Sequence, residues 1–159
     1  MISWRAPQRL QEVDDVADTI IEALYNYFGD CPLLANRILR VDFLGEETDA
    51  EYTIDSVPCT PTIKRYVDGS EKRQYLFTLG SRAFYNEDVL NALSNSGVFE
   101  NIAAWLKKQS SAAALPKLPS GCEAQSIEAL STVYILESDA AIAAARYQIQ
   151  CKLIYLQEV

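Results

Sequence analysis

Ala143-Ala144-Ala145-Arg146-Tyr147-Gln148-Ile149-Gln150-Cys151-Lys152-Leu153-Ile154-Tyr155-Leu156-Gln157 is the stretch whose reading decides the fold. Tyr147, Ile149, Cys151, Leu153 and Tyr155 occupy alternate positions; Arg146, Gln148, Gln150 and Lys152 fill the gaps. Side chains of a strand point alternately to its two faces, so this pattern predicts a strand with one dry and one wet side. Ile154 and Leu156 interrupt the wet side, which predicts cover on both faces at that end. The preceding run, Ser126–Glu137, holds Ile127, Val133, Tyr134, Ile135 and Leu136, which favour strands. Glu137-Ser138-Asp139-Ala140-Ala141 between the two runs supplies turn-compatible residues, so they read as one long antiparallel hairpin.

Working outward, Thr62–Val67 and Arg73–Phe84 form a second candidate hairpin. Asp68-Gly69 between them is a turn signal, because glycine accepts positive φ without steric cost. Gly80-Ser81 suggests a bulge within the second strand. Ile38–Phe43 and Tyr52–Val57 are shorter strand candidates. Pro7 to Phe28 reads as a helix, since Leu10, Val13, Ala17, Ile20, Ile21, Leu24 and Phe28 recur at helical spacing. Asn86 is a candidate cap for a helix carrying Val89, Leu90 and Leu93. Ser94-Asn95-Ser96-Gly97 breaks it from a second helix with Phe99, Ile102, Trp105 and Leu106. Ser110 to Gly121 reads as a linker. The expectation is a single α+β domain over residues 1–159: a mainly antiparallel four-stranded sheet built from two hairpins, with the N-terminal and central helices packed on one face.

Composition narrows the function. The chain of 159 residues is 49% apolar and 23% charged, ordinary for a folded chain. Its 22 acidic against 14 basic residues leave a net charge of -8, which disfavours non-specific binding to nucleic acid or anionic membrane. No apolar run reaches membrane-spanning length, and Met1–Arg5 lacks the features of a secretory signal, which predicts a cytosolic place of synthesis and assembly. There is no histidine, so triads built on His are excluded. Cys31, Cys59, Cys122 and Cys151 are scattered without paired spacing and read as reduced thiols. The six glycines form no phosphate-binding motif. The reading is therefore not an enzyme, with no catalytic residue, no cofactor and no metal. Two charged loops stand out. Lys64, Arg65, Lys72 and Arg73 surround the Asp68-Gly69 turn. Glu46, Glu47, Asp49 and Glu51 crowd together in what reads as a solvated acidic loop whose spacing does not suit calcium, Glu46, Glu47 and Asp49 being its candidate contact residues. Opposite charges on separate loops suit a contact between copies.

The segments Asn101–Gln109, Leu115–Pro119, Gln125–Glu128 and Ala145–Tyr155, in that order, resemble the minor capsid or tail-completion proteins of Gram-positive siphophages and prophages, the tail terminators. The resemblance implies a structural virion protein. It would form a ring-shaped homo-oligomer, a hexamer, at the end of the tail tube and take part in head–tail joining. Its partners would be copies of itself, the tail tube protein and a head-completion protein. DNA would pass nearby without specific binding, no membrane would be involved, and the protein would reside in the virion tail after assembly in the host cytoplasm. The alternatives are another head–tail connector subunit, or a small α+β ligand-binding or enzymatic domain.

Overall fold

A computed structural model of the chain describes residues 17–35, 37–42, 51–84, 89–139 and 144–159. It is α+β, and its sheet corrects the expectation. Among the described residues seven strands replace four, and the sheet is mixed. They are β1 (Ile38–Val41), β2 (Glu51–Val57), β3 (Thr62–Arg65), β4 (Glu71–Phe84), β5 (Cys122–Ala129), β6 (Tyr134–Asp139) and β7 (Ala144–Gln157). The principal order is β1-β2-β4-β7-β5, with β3 also on β4 and β6 also on β7. β1 runs parallel to β2, and every other pairing is antiparallel.

Strand length explains the larger count. β4 and β7 are 14 residues each and pair along their whole length, from Glu71↔Gln157 to Phe84↔Ala144. Each leaves one long outer edge, and two shorter strands share it end to end. β2 and β3 share that of β4; β5 and β6 share that of β7. The run Ser126–Glu137 is therefore not one strand. It divides at Leu130–Val133, where the Leu130 amide donates to the Gln150 carbonyl and Ser131 Oγ accepts from the Gln150 amide. Nor does β4 bulge at Gly80-Ser81, since its register with β7 continues unbroken through both residues.

Helix α1 spans Ile20–Gly29. The helix expected from Pro7 onward is corrected at Ala17–Thr19, which are not helical; residues 1–16 lie outside the described residues. Thr19 caps α1 by accepting the Glu22 amide at 3.2 Å, satisfying one of the donors that a helix start leaves unpaired. A 3-10 turn follows at Pro32–Leu34. Helix α2 is one uninterrupted rod, Val89–Ser111, not two helices broken near Gly97. An internal glycine costs only about 1 kcal/mol relative to alanine. Phe99, Ile102 and Leu106, spaced to share one face, are all buried and can offset that cost. Asn86, the expected cap, lies outside the described residues.

The core lies between α1, α2 and one sheet face. Ala23, Leu24 and Phe28 of α1 and Phe99, Ile102 and Leu106 of α2 join a cluster with Ile54, Phe77, Leu79, Ile127 and the predicted β7 stripe, Tyr147, Ile149, Cys151, Leu153 and Tyr155. Aromatic rings connect the layers. Phe28 meets Phe77 edge-on at 5.9 Å between centroids, and Trp105 at 6.1 Å. The segment after α2 is ordered against this core: Leu118 is buried, and the Tyr27 hydroxyl donates to the Ala114 carbonyl at 2.8 Å. Among the described residues no helix is long and apolar enough to cross a membrane.

One edge of the sheet is closed by a side chain. Ser110, near the end of α2, donates its hydroxyl to the Ile127 carbonyl at 2.6 Å and accepts the Ile127 amide at 2.9 Å. This takes up both main-chain groups of Ile127, the one buried residue of β5, an edge strand. Ser110→Ala is expected to cost about 1–3 kcal/mol, the penalty for stranding buried polar groups. Hydrogen exchange at the Ile127 amide should accelerate more than at the Leu153 amide; equal changes would mean that Ser110 does not guard this edge.

Candidate functional site

The β3–β4 hairpin projects at one end of the sheet, and most of the charged residues singled out from the sequence meet there. Its turn forms for local reasons. Gly69 has φ of +93°, and a Cβ on it would fall 2.8 Å from Val159 Cγ2. Asp68 Oδ1 accepts both the Ser70 amide at 2.9 Å and its hydroxyl at 2.6 Å, and the Tyr66 amide donates to the Ser70 carbonyl.

The four basic residues divide into different roles. Arg73 points inward from the core-facing side of β4. Its Nε donates to the Tyr155 hydroxyl at 3.3 Å, its Nη1 donates to Glu71 Oε1 at 2.9 Å, and the tyrosine hydrogen bond raises its pKa. Arg65 Nε lies 3.6 Å from Glu71 Oε2. Lys64 is exposed, with Nζ 5.3 Å from the Tyr66 ring centroid, a cation–π distance. Lys72 is half-buried and faces Leu156 across the sheet. The expected basic patch thus reduces to Lys64 and Arg65 on the outside, while Arg73 is structural. Sequence reasoning missed Glu71, the anion that ties these residues together. Its one available signal was position: it stands two residues before Arg73 in a strand, and side chains at that spacing share a face. The acidic loop residues Glu46, Glu47 and Asp49 lie outside the described residues.

Apolar side chains stand beside these charges. Ile63 and Tyr66 are exposed, and Val67 is fully so. A strand edge usually avoids exposed apolar groups, which invite pairing.

Acid should loosen this hairpin. The Thr62 hydroxyl, then Arg73, hold the Glu71 carboxyl below the usual carboxylate range; the Ser70 hydroxyl and amide do the same for Asp68. A carboxyl whose folded pKa is lowered stabilises the fold above its unfolded pKa, about 4, and that contribution disappears as pH falls through the folded value. Thermal melts should therefore show stability falling as pH drops below about 4. Glu71→Gln should shrink that fall, and an identical pH dependence in the variant would remove Glu71 as its source.

The sheet face opposite the helices carries a second polar cluster. Glu51 is buried and pairs with Arg40 at 3.3 Å, so it is not part of a solvated acidic loop. Arg146 of β7 crosses β4 to reach Asp55 of β2, and Thr53 Oγ1 donates to Asp55 at 3.0 Å. Arg146 passes beside Gly80, where the space is tight against β7 itself. A Cβ there would sit 3.3 Å from Gln148 Cβ and from the Tyr147 carbonyl oxygen, and 3.6 Å from Arg146 Nε. Gln148 is buried and donates to the Tyr134 hydroxyl at 2.7 Å. These residues form a cross-strand brace of opposite charges rather than an exposed reactive group.

A third feature lies near the far end of β4 from the hairpin turn. α1 and β1 flank an open groove of about 620 Å³, walled by Ile21, Tyr25, Leu39 and Val41 with Glu22 beside them. A larger cleft of about 800 Å³ adjoins it, reaching Asp30, Arg37 and Lys117. Among the described residues no group of three or more His, Cys, Asp or Glu is placed to hold a metal. Cys31 and Cys151 are buried and Cys59 and Cys122 partly so, all as free thiols; burial raises the pKa of Cys31, Cys122 and Cys151. No protein-family model and no curated protein matches the chain.

Proposed function

We propose that the chain is a structural virion protein, a tail terminator that forms a hexameric ring at the end of a phage tail tube and joins tail to head. It is not an enzyme and needs no cofactor. Its partners are its own copies, the tail tube protein and a head-completion protein, and it resides in the virion tail after assembly in the host cytoplasm. The reading starts from the resemblance of the C-terminal segments. The observation that carries it is the β3–β4 hairpin, which presents Ile63, Tyr66 and Val67 to solvent beside Lys64 and Arg65. Exposed apolar side chains rimmed by charge suit a protein contact. A ring also needs each copy to offer one surface to a different surface of its neighbour. The net charge of -8 supports a channel through which DNA slides without adhering.

The test is negative-stain microscopy of the protein mixed with tail tubes. Six-fold density confined to one tube end supports the proposal. Decoration along the tube, or no binding, overturns it, as does catalytic turnover abolished by a point substitution that leaves the fold intact. DNA gel shifts should stay negative at low salt.

A further inference from the structure

We propose that the exposed tip of the β3–β4 hairpin in one copy docks into the α1–β1 groove of a second copy, a head-to-tail contact between two different surfaces of this chain. This rests on the ring reading and specifies its interface. Four of the exposed large apolar residues fall at these two places: Ile63, Tyr66 and Val67 on the hairpin, and Tyr25 on α1. The groove offers an apolar floor to receive the tip, with Leu39 and Val41 on the strand and Ile21 on the helix.

Charge sets the direction. The tip presents Lys64 and Arg65 to solvent. Arg65 lies 3.6 Å from Glu71 and Asp68 is exposed in the turn, so Lys64, Arg65, Lys72 and Arg73 against these two acids leave the hairpin positive on balance. α1 has no Lys or Arg from Ile20 to Gly29, while Glu22 is exposed on it and Asp18 is exposed just before it; Asp30, just beyond its end, shares the adjoining cleft with Arg37 and Lys117. Arg40, also on the groove wall, is paired with Glu51 and so adds little net positive charge. A basic tip meeting an acidic helix favours this pairing over tip against tip.

The contact has to be intermolecular. Arg65 is aligned with Glu71 at the start of β4, whereas Leu39 is aligned with Tyr52, itself aligned with Ser81 near the other end. From Glu71 to Ser81 a strand advances about 33 Å at ~3.3 Å per residue. The tip therefore cannot reach its own groove. Repetition of such a contact closes into a ring if the rotation per copy allows, and otherwise runs on as a filament.

Two full-length variants test the contact by sedimentation equilibrium up to about 1 mM protein, where a contact of millimolar affinity is detectable. One is Lys64→Glu with Val67→Glu on the tip; the other is Glu22→Lys with Asp30→Lys on the helix. Circular dichroism verifies that both are folded. Each alone should self-associate at least tenfold more weakly than the unaltered chain. An equimolar mixture should recover association, because the acidic tip of the first meets the basic groove of the second, and the reverse junction is unaltered. If both variants associate as the unaltered chain does, or if the mixture shows no recovery, this contact is wrong while a ring built on other surfaces stands. An unaltered chain that stays monomeric throughout also overturns the contact, and the tail-tube experiment then decides the ring separately.

Discussion

Phe77→Ala is expected to lower stability by about 3–5 kcal/mol, the range for removing a fully buried aromatic side chain. Phe77 is completely buried on β4, opposite Cys151 of β7, and its ring meets Phe28 of α1 edge-on. The substitution thus opens a void where α1 is fastened to the central strand pair. Part of the loss is the apolar surface no longer buried, and part is the cavity that a close-packed interior cannot fill. Urea unfolding measures the change. The double variant with Phe28→Ala should fall short of the summed single losses by about 0.5–1.5 kcal/mol, the coupling expected of one aromatic pair. A loss below about 1 kcal/mol for Phe77→Ala would mean that the site collapses readily and that α1 is held elsewhere.

Asp55→Ala should cost about 2–3 kcal/mol, because it strands a guanidinium that has been drawn across the sheet. Arg146 and Asp55 retain 19% and 26% of their side-chain exposure. Remaining water screens the stranded charge, so the expected loss lies below the ~3–5 kcal/mol of a fully buried pair. Arg146 Nε is already buried with no hydrogen-bond partner among the described residues, so the pair with Asp55 supplies much of its compensation. Replacing both, Asp55→Val with Arg146→Met, should cost less than Asp55→Ala alone, since no unpaired charge is left behind. A double variant as unstable as the sum of its singles would show that the two residues act independently.

The local signals in this chain were of uneven reach. The alternation from Tyr147 to Tyr155 correctly identified five core residues, and Asp68-Gly69 correctly located a turn. Leu24 and Phe28 were legible as a helix face. The break expected at Gly97 does not form, because a glycine's local cost is small beside the burial of the residues that follow it. Of the candidate site, the basic residues around the turn were visible, but their division was not. Arg73 and Lys64 look alike in sequence, and only their positions across the strands send one to Tyr155 and the other to solvent. The groove beside α1 left no signal, since its two walls come from separate stretches of chain.

Side-chain periodicity and turn chemistry thus prescribed the α+β class, the buried stripe of β7 and the hairpin turn, because each depends on neighbours a few residues away. Folding settled the partners of each strand, the seven-stranded mixed order, and the passage of Arg146 over Gly80 to Asp55. Those outcomes join residues as much as 91 positions apart. Backbone hydrogen bonding between strands decides the pairing that brings these residues together, and it is not written in the hydrophobic pattern of any single segment.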